Sequence, residues 1–136
     1  MCSSDLFNHW ITVGKENDAA KLPRIYYVNW FRRGEDGDFL WPGFGENSRV
    51  LKWVYERVNG RGDAQETPIG LVPTPESLDT DGLEMREGDL TKLLSVDAEA
   101  WRQEVALIEA HYDFIGERLP AELREQLSEL EKRLAD

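Results

Sequence analysis

Residues 26–50 read YYVNWFRRGEDGDFLWPGFGENSRV, and the reading of this stretch decides the rest of the chain. Seven aromatic residues lie between Tyr26 and Phe44, separated by glycines, a proline and a polar turn. The run from Arg24 to Phe31 predicts one buried strand, and Arg32 to Asp38 a turn-rich segment. Phe39, Trp41 and Phe44 then alternate with Leu40, Pro42, Gly43 and Gly45, a pattern that presents flat rings instead of burying a regular face. A helix is expected directly afterwards, from about residue 48 to 59. Asn47 or Ser48 is placed to cap it, Val50, Leu51, Val54 and Val58 recur at helical spacing, and Asn59-Gly60 is a stop signal.

Rings, the free N–H groups of a helix start and one planar amide together describe a pocket for a flat polar heterocycle. A nucleobase fits that description, because stacking on an aromatic side chain contributes roughly 1–3 kcal/mol whatever the base. Asn47 carries a donor and an acceptor in one plane and can match an edge with both kinds of group. Spacing alone does not choose guanine over adenine. The plainer use of such rings is to fill a core, and Phe beside Gly and Pro also serves loops that bind protein partners.

These residues carry a resemblance. Val28-Asn29-Trp30-Phe31, followed by Phe39-Leu40-Trp41-Pro42-Gly43-Phe44-Gly45-Glu46-Asn47-Ser48-Arg49-Val50-Leu51, resembles the guanine-binding segment of GTP-dependent phosphoenolpyruvate carboxykinase. The resemblance implies that Phe31 and Phe44 sandwich guanine, that Phe39 closes the pocket edge and that Asn47 hydrogen-bonds the base. Gly45 and Glu46 are expected to supply backbone contacts. Trp30 and Trp41 are expected in the core.

Outward from the loop the likeness continues. Asp5 to Lys15 predicts a short helix with Leu6, Trp10 and Val13 on one side. Arg61 to Glu66 reads as a polar linker, and Thr67-Pro68-Ile69-Gly70-Leu71-Val72-Pro73 as an extended surface segment too rich in proline for a central strand. Leu78 to Leu83 is a turn and Asp89 to Ser95 a short helix. Asp97 caps a longer helix with Trp101, Val105, Ile108, Tyr112 and Ile115 on one stripe, ending near Gly116. After Pro120 a last helix carries Leu123, Leu127, Leu130 and Leu134, and the two stripes are expected to pair. The Thr-Pro-Ile-Gly segment, the short Leu-Leu helix, Val96-Asp97 with a following Trp and the closing leucine-rich helix all follow the family's C-terminus.

The expected fold is therefore helix-rich α/β, the C-terminal portion of a nucleotide-binding lobe with one strand, an aromatic loop and four to five helices. Its parts are 1–60 (strand, guanine loop and helix), 61–96 (extended linker and short helix) and 97–136 (helical pair). The resemblance implies a C-terminal fragment of an enzyme that converts oxaloacetate and GTP to phosphoenolpyruvate, GDP and carbon dioxide in gluconeogenesis. It further implies a monomeric cytoplasmic protein that uses manganese or magnesium, held by ligands outside this chain. Oxaloacetate and phosphoenolpyruvate belong only to the full enzyme. No G-x-x-x-x-G-K-[ST] phosphate loop occurs in the sequence, so no catalytic residue is assigned here and the segment is expected to supply the base pocket alone. The reading from another class is a noncatalytic interaction module that presents the aromatic loop to a protein.

Charge narrows the partners. Residues 1–60 balance eight acids with eight bases, so the whole net charge of −11 lies in residues 61–136. An acidic half repels a nucleic-acid backbone, and no apolar run is long enough to span a membrane. Cys2 is the one cysteine, which excludes an internal disulfide. Glu35, Asp36 and Asp38 beside Gly34 and Gly37 read as a solvated turn rather than a metal loop. Ser77 to Gly88 lacks the first and twelfth residues of a calcium loop. Arg61-Gly62-Asp63 is a chance tripeptide, and His9 and His111 are ordinary helical residues. Arg32 and Arg33 are candidates for a phosphate contact, with a surface role the plainer reading.

Overall fold

The computed structural model describes residues 3–135, so Cys2 lies outside the described residues. Among them are the helices α1 (Ser3–Glu16), α2 (Asn47–Val58), α3 (Asp89–Leu94), α4 (Ala98–Ile115) and α5 (Ala121–Ala135), and the strands β1 (Ala64–Thr67) and β2 (Gly70–Pro73). The chain forms two compact units, Met1–Pro23 with Asp97–Asp136, and Arg24–Val96. The helix-rich α/β expectation holds, while its strand content lies elsewhere in the chain.

In the first unit, α4 starts where expected. The Asp97 carboxylate accepts from the N–H groups of Glu99 at 2.9 Å and Ala100 at 3.1 Å, satisfying two donors that have no helical partner. The helix stops at Gly116, whose φ of 70° ends the right-handed run. Val105 packs with Leu127 and Leu134, flanked by Trp101, Ile108, Tyr112 and Leu130, so the two predicted stripes do meet. Arg102 donates to the Leu134 carbonyl from Nε at 3.1 Å and Nη2 at 2.6 Å, which supplies donors to the last turn of α5. Lys15 at the end of α1 pairs with Glu122 in the first turn of α5. The predicted apolar side of α1 stays exposed at Leu6, Trp10 and Val13.

The second unit departs from expectation at three places. Arg24 to Phe31 is not a strand. Its backbone joins no ladder among the described residues, and Ile25 and Tyr27 are 90% and 95% exposed. A strand is stable only against a neighbour, and no neighbour pairs with this segment among the described residues. The segment also breaks locally, because the Asn29 side chain accepts from the Phe31 N–H at 3.0 Å and turns the chain there.

The strands form instead between residues 64 and 73, in what the sequence marked as linker and surface segment. Ala64 pairs with Pro73 and Thr67 with Gly70 in an antiparallel hairpin whose loop is Pro68-Ile69. The prolines do not oppose this. Pro68 sits in the turn and Pro73 at a strand end, and in a two-stranded sheet every strand is an edge, where a missing N–H costs little.

The third departure is the start of α2. Neither Asn47 nor Ser48 caps it; both lie inside its first turn, which the chain enters through a 3-10 turn at Phe44–Glu46. Of the residues predicted to mark its apolar side, Val50 and Val54 are half-buried, and Leu51 and Val58 are exposed. Trp53 is the buried residue of α2, donating from Nε1 to the Asp63 carbonyl at 3.0 Å and meeting Tyr26 edge-on with ring centroids 6.0 Å apart. With Leu40, Trp41 and Leu78 it is one of the buried apolar residues of this unit.

Candidate functional site

The predicted base site lies in the second unit, on the loop between Phe31 and α2. A bridge between Arg33 and Phe39 closes a tight turn. Inside it the Gly34 N–H donates to the Asp38 carbonyl at 2.9 Å and the Gly37 N–H to the Gly34 carbonyl at 3.0 Å. Gly37 has a φ of 85°, which a side chain would oppose. The Leu40 N–H then returns to the Arg32 carbonyl at 3.0 Å. This closure brings Phe31 and Phe39 together, with centroids 6.0 Å apart and planes tilted by 59°. Both rings remain exposed.

Two fixings hold the turn. Arg86 pairs with Asp36 and reaches Asp38 at 3.7 Å, while its Nε bonds the buried Asp89 at 3.1 Å. The hydrogen bond from Arg86 holds the Asp36 carboxyl below its usual range, and the same partners raise the Arg86 guanidinium. Arg32 is spent on backbone: Nη1 donates to the carbonyls of Leu93 at 2.9 Å and Ser95 at 2.8 Å. Arg33 lies over the Phe39 ring, 4.0 Å from its centroid, and donates to the Gly37 carbonyl. Both arginines thus have intramolecular work rather than a free guanidinium for phosphate.

Phe44 is held differently. Gly43 and Phe44 have successive φ values of 79° and 46°, and Phe44 is the one non-glycine with positive φ among the described residues. A left-handed phenylalanine costs about 1–2 kcal/mol. Its ring recovers none of this by burial, being 96% exposed and paired with no other ring among the described residues. Phe31 and Phe39 therefore stand as a pair and Phe44 stands apart.

The following turn fixes the other predicted residues. Gly45 accepts from Ser48 Oγ at 2.7 Å, and Glu46 accepts from Arg49 Nε at 2.5 Å. Arg49 continues to the Asp79 carbonyl at 2.9 Å, and Lys52 pairs with the Asp79 carboxylate at 3.0 Å. Hydrogen bonding from Lys52 lowers the Asp79 carboxyl below its usual range. Asn47 is half-buried, and its Oδ1 accepts from the Trp41 indole Nε1 at 3.0 Å. Trp41 is buried, as expected, whereas Trp30 is only partly so. The anchoring of Asn47 by Trp41 and of the turn by Arg32 had no signal in the sequence.

His9 and His111 are exposed helical residues. Among the described residues no three His, Cys, Asp or Glu side chains stand together as a metal site. The divalent cation that the resemblance implies has no fitting donor set among the described residues. An open polar depression of about 330 Å³ lies between the 34–36 turn and Arg86, Glu87, Asp89 and Lys92, with Arg86 already committed to Asp36 and Asp89.

Residues 1–133 match the family described as the phosphoenolpyruvate carboxykinase C-terminal P-loop domain. The chain belongs to the GTP-dependent phosphoenolpyruvate carboxykinase family. It is 50% identical over 132 residues to the phosphoenolpyruvate carboxykinase [GTP] of Renibacterium salmoninarum, a match that covers 97% of the chain and 22% of that relative. The enzyme of the same name from Neocallimastix frontalis is 49% identical over 131 residues, and that from Treponema pallidum (strain Nichols) 46% over 132, each match covering 96% of the chain and 21% of the relative. The chain thus corresponds to between a fifth and a quarter of a phosphoenolpyruvate carboxykinase.

Proposed function

We propose that this segment supplies the guanine pocket of a GTP-dependent phosphoenolpyruvate carboxykinase, with Phe31, Phe39 and Phe44 as stacking rings and Asn47 as the residue that reads the base. The observation that carries the reading is Phe44. An apolar ring held almost wholly in solvent on a left-handed backbone stores strain that packing does not recover, and such strain concentrates where a ligand is gripped. The exposed Phe31–Phe39 pair and the anchored Asn47 amide on either side of it support the same reading. Gly45 and Glu46 contribute through backbone, since the Glu46 carboxylate is taken by Arg49.

In the longer relatives' setting, the reaction is decarboxylation of oxaloacetate with transfer of the GTP γ-phosphoryl group to the resulting enolate, giving phosphoenolpyruvate and GDP in gluconeogenesis. This segment would hold the base while phosphate, dicarboxylate and manganese or magnesium are bound by sequence outside it. A cytoplasmic, monomeric enzyme is the corresponding setting. No helix among the described residues is long and apolar enough to cross a membrane.

Tryptophan fluorescence of the purified chain, titrated with GDP and separately with ADP, tests the pocket, because Trp41 touches Asn47. Saturable quenching by GDP at concentrations where ADP does nothing is the expected result. Equal quenching by both, or none from a folded chain, removes the base-reading role from these residues.

A further inference from the structure

We propose that Trp41 fixes which way the Asn47 amide faces, and thereby makes the pocket select a base with a carbonyl oxygen on its read edge over one with an amine there. The inference rests on the base-binding reading above. It begins from a chemical asymmetry: an indole N–H donates and has nothing with which to accept. The group 3.0 Å from it on Asn47 must therefore be Oδ1. The opposite orientation would set two donors against each other. The oxygen and nitrogen of an asparagine amide are ordinarily assigned from their surroundings, and here the partner leaves one choice.

Neither side of the bond is free to adapt. Trp41 is 3% exposed, so its indole is held by packing on the loop that leads to Gly43. The Asn47 backbone is held too, its N–H donating to the Phe44 and Gly45 carbonyls at the start of α2. The Asn47 NH₂ group donates to no described residue and is the uncommitted end of the amide. Guanine offers O6 and N7 as acceptors on one edge, whereas adenine has an N6 amine where guanine has O6. A fixed NH₂ pairs with O6 and meets the N6 amine donor against donor. An amide free to rotate would serve either base. Trp41 is in this sense a positioning residue that acts on the ligand through Asn47.

Calorimetric titration of the whole 136-residue chain with GDP and with ADP tests the inference, using wild type, Trp41→Phe and Asn47→Asp. The wild type is expected to favour GDP. Trp41→Phe removes the indole donor and should lower the GDP-to-ADP affinity ratio by about tenfold, the worth of one polar pairing, with ADP binding gained. Asn47→Asp keeps an acceptor for the indole but turns an oxygen towards the base, and should invert the preference in favour of ADP. A folded Trp41→Phe chain with an unchanged ratio, or with both nucleotides weakened equally, overturns the inference and leaves the base site standing. If Trp41→Phe does not fold by circular dichroism, Asn47→Asp decides, and continued preference for GDP overturns it. A wild-type chain without preference for GDP overturns the base-site reading, and this inference with it.

Discussion

Arg32 and Ser95 are joined twice: Nη1 of the arginine donates to the Ser95 carbonyl at 2.8 Å, and Nη2 to its hydroxyl at 3.2 Å. With the Leu93 carbonyl as a third acceptor, the guanidinium covers carbonyls at the end of α3 that have no helical donor. Arg32 follows Phe31 directly, so the ring inherits its position from this contact. Arg32→Lys keeps the charge and loses the planar fork. It is expected to destabilise the chain by about 1–2 kcal/mol in urea unfolding, and to weaken GDP and ADP alike, since it moves Phe31, proposed as a stacking ring, and not Asn47, proposed to read the base. A change confined to one nucleotide would contradict that role.

Phe44 separates stability from binding. Phe44→Gly removes a strained left-handed side chain, a relief of about 1–2 kcal/mol set against the greater freedom of glycine in the unfolded chain. The thermal midpoint should be unchanged or raised. GDP affinity should fall by the stacking contribution of roughly 1–3 kcal/mol. A variant that binds as tightly as wild type would exclude Phe44 from the pocket.

The helical pair has few buried side chains and should respond strongly to losing one. Leu127→Ala, opposite Val105, is expected to cost about 2–4 kcal/mol. Asp97→Ala, which uncaps α4, should cost about 1 kcal/mol. Helical ellipticity followed through thermal unfolding reads both, and similar effects from the two would mean that the Leu127 site collapses around its cavity.

Acidification should loosen the second unit. Asp36 and Asp79 are both lowered below the usual carboxylate range, first by their hydrogen bonds to Arg86 and Lys52. A depressed folded-state value means that the stabilisation is complete above the unfolded value of about 3.9 and is lost as pH falls through the folded one. Both carboxylates face solvent, so the effect is small and salt-sensitive. Urea midpoints between pH 6 and 3 should fall at the acid end. Asp36→Asn should flatten part of that slope, and an unchanged slope would show that its pair with Arg86 contributes nothing.

Helix positions were legible wherever the cause is local. Asp97, the Trp101 to Tyr112 stripe and Gly116 define α4 from their own spacing, and Leu127, Leu130 and Leu134 define its partner. The run from Arg24 to Phe31 misled because apolar content identifies strand-forming residues without supplying a neighbouring strand. The hairpin is hidden in the sequence because proline ordinarily breaks a ladder, yet Pro68 and Pro73 occupy positions with no ladder bond to lose. The aromatic loop was legible as a set of residues. Its internal geometry was not: the tilt of Phe31 on Phe39, the left-handed Phe44 and the Trp41 to Asn47 bond all depend on how the chain closes between Arg33 and Phe39.

The open backbone from Arg24 to Val28, with Ile25 and Tyr27 standing in water, carries a practical consequence. N–H and C=O groups with no backbone partner among the described residues, interleaved with apolar side chains, form a template on which a second molecule can lay its own extended segment. Protein concentration thus becomes a variable in every experiment on this chain. Light scattering should rise with it, and nucleotide titrations belong in dilute solution, where each loop meets ligand before it meets another copy of itself.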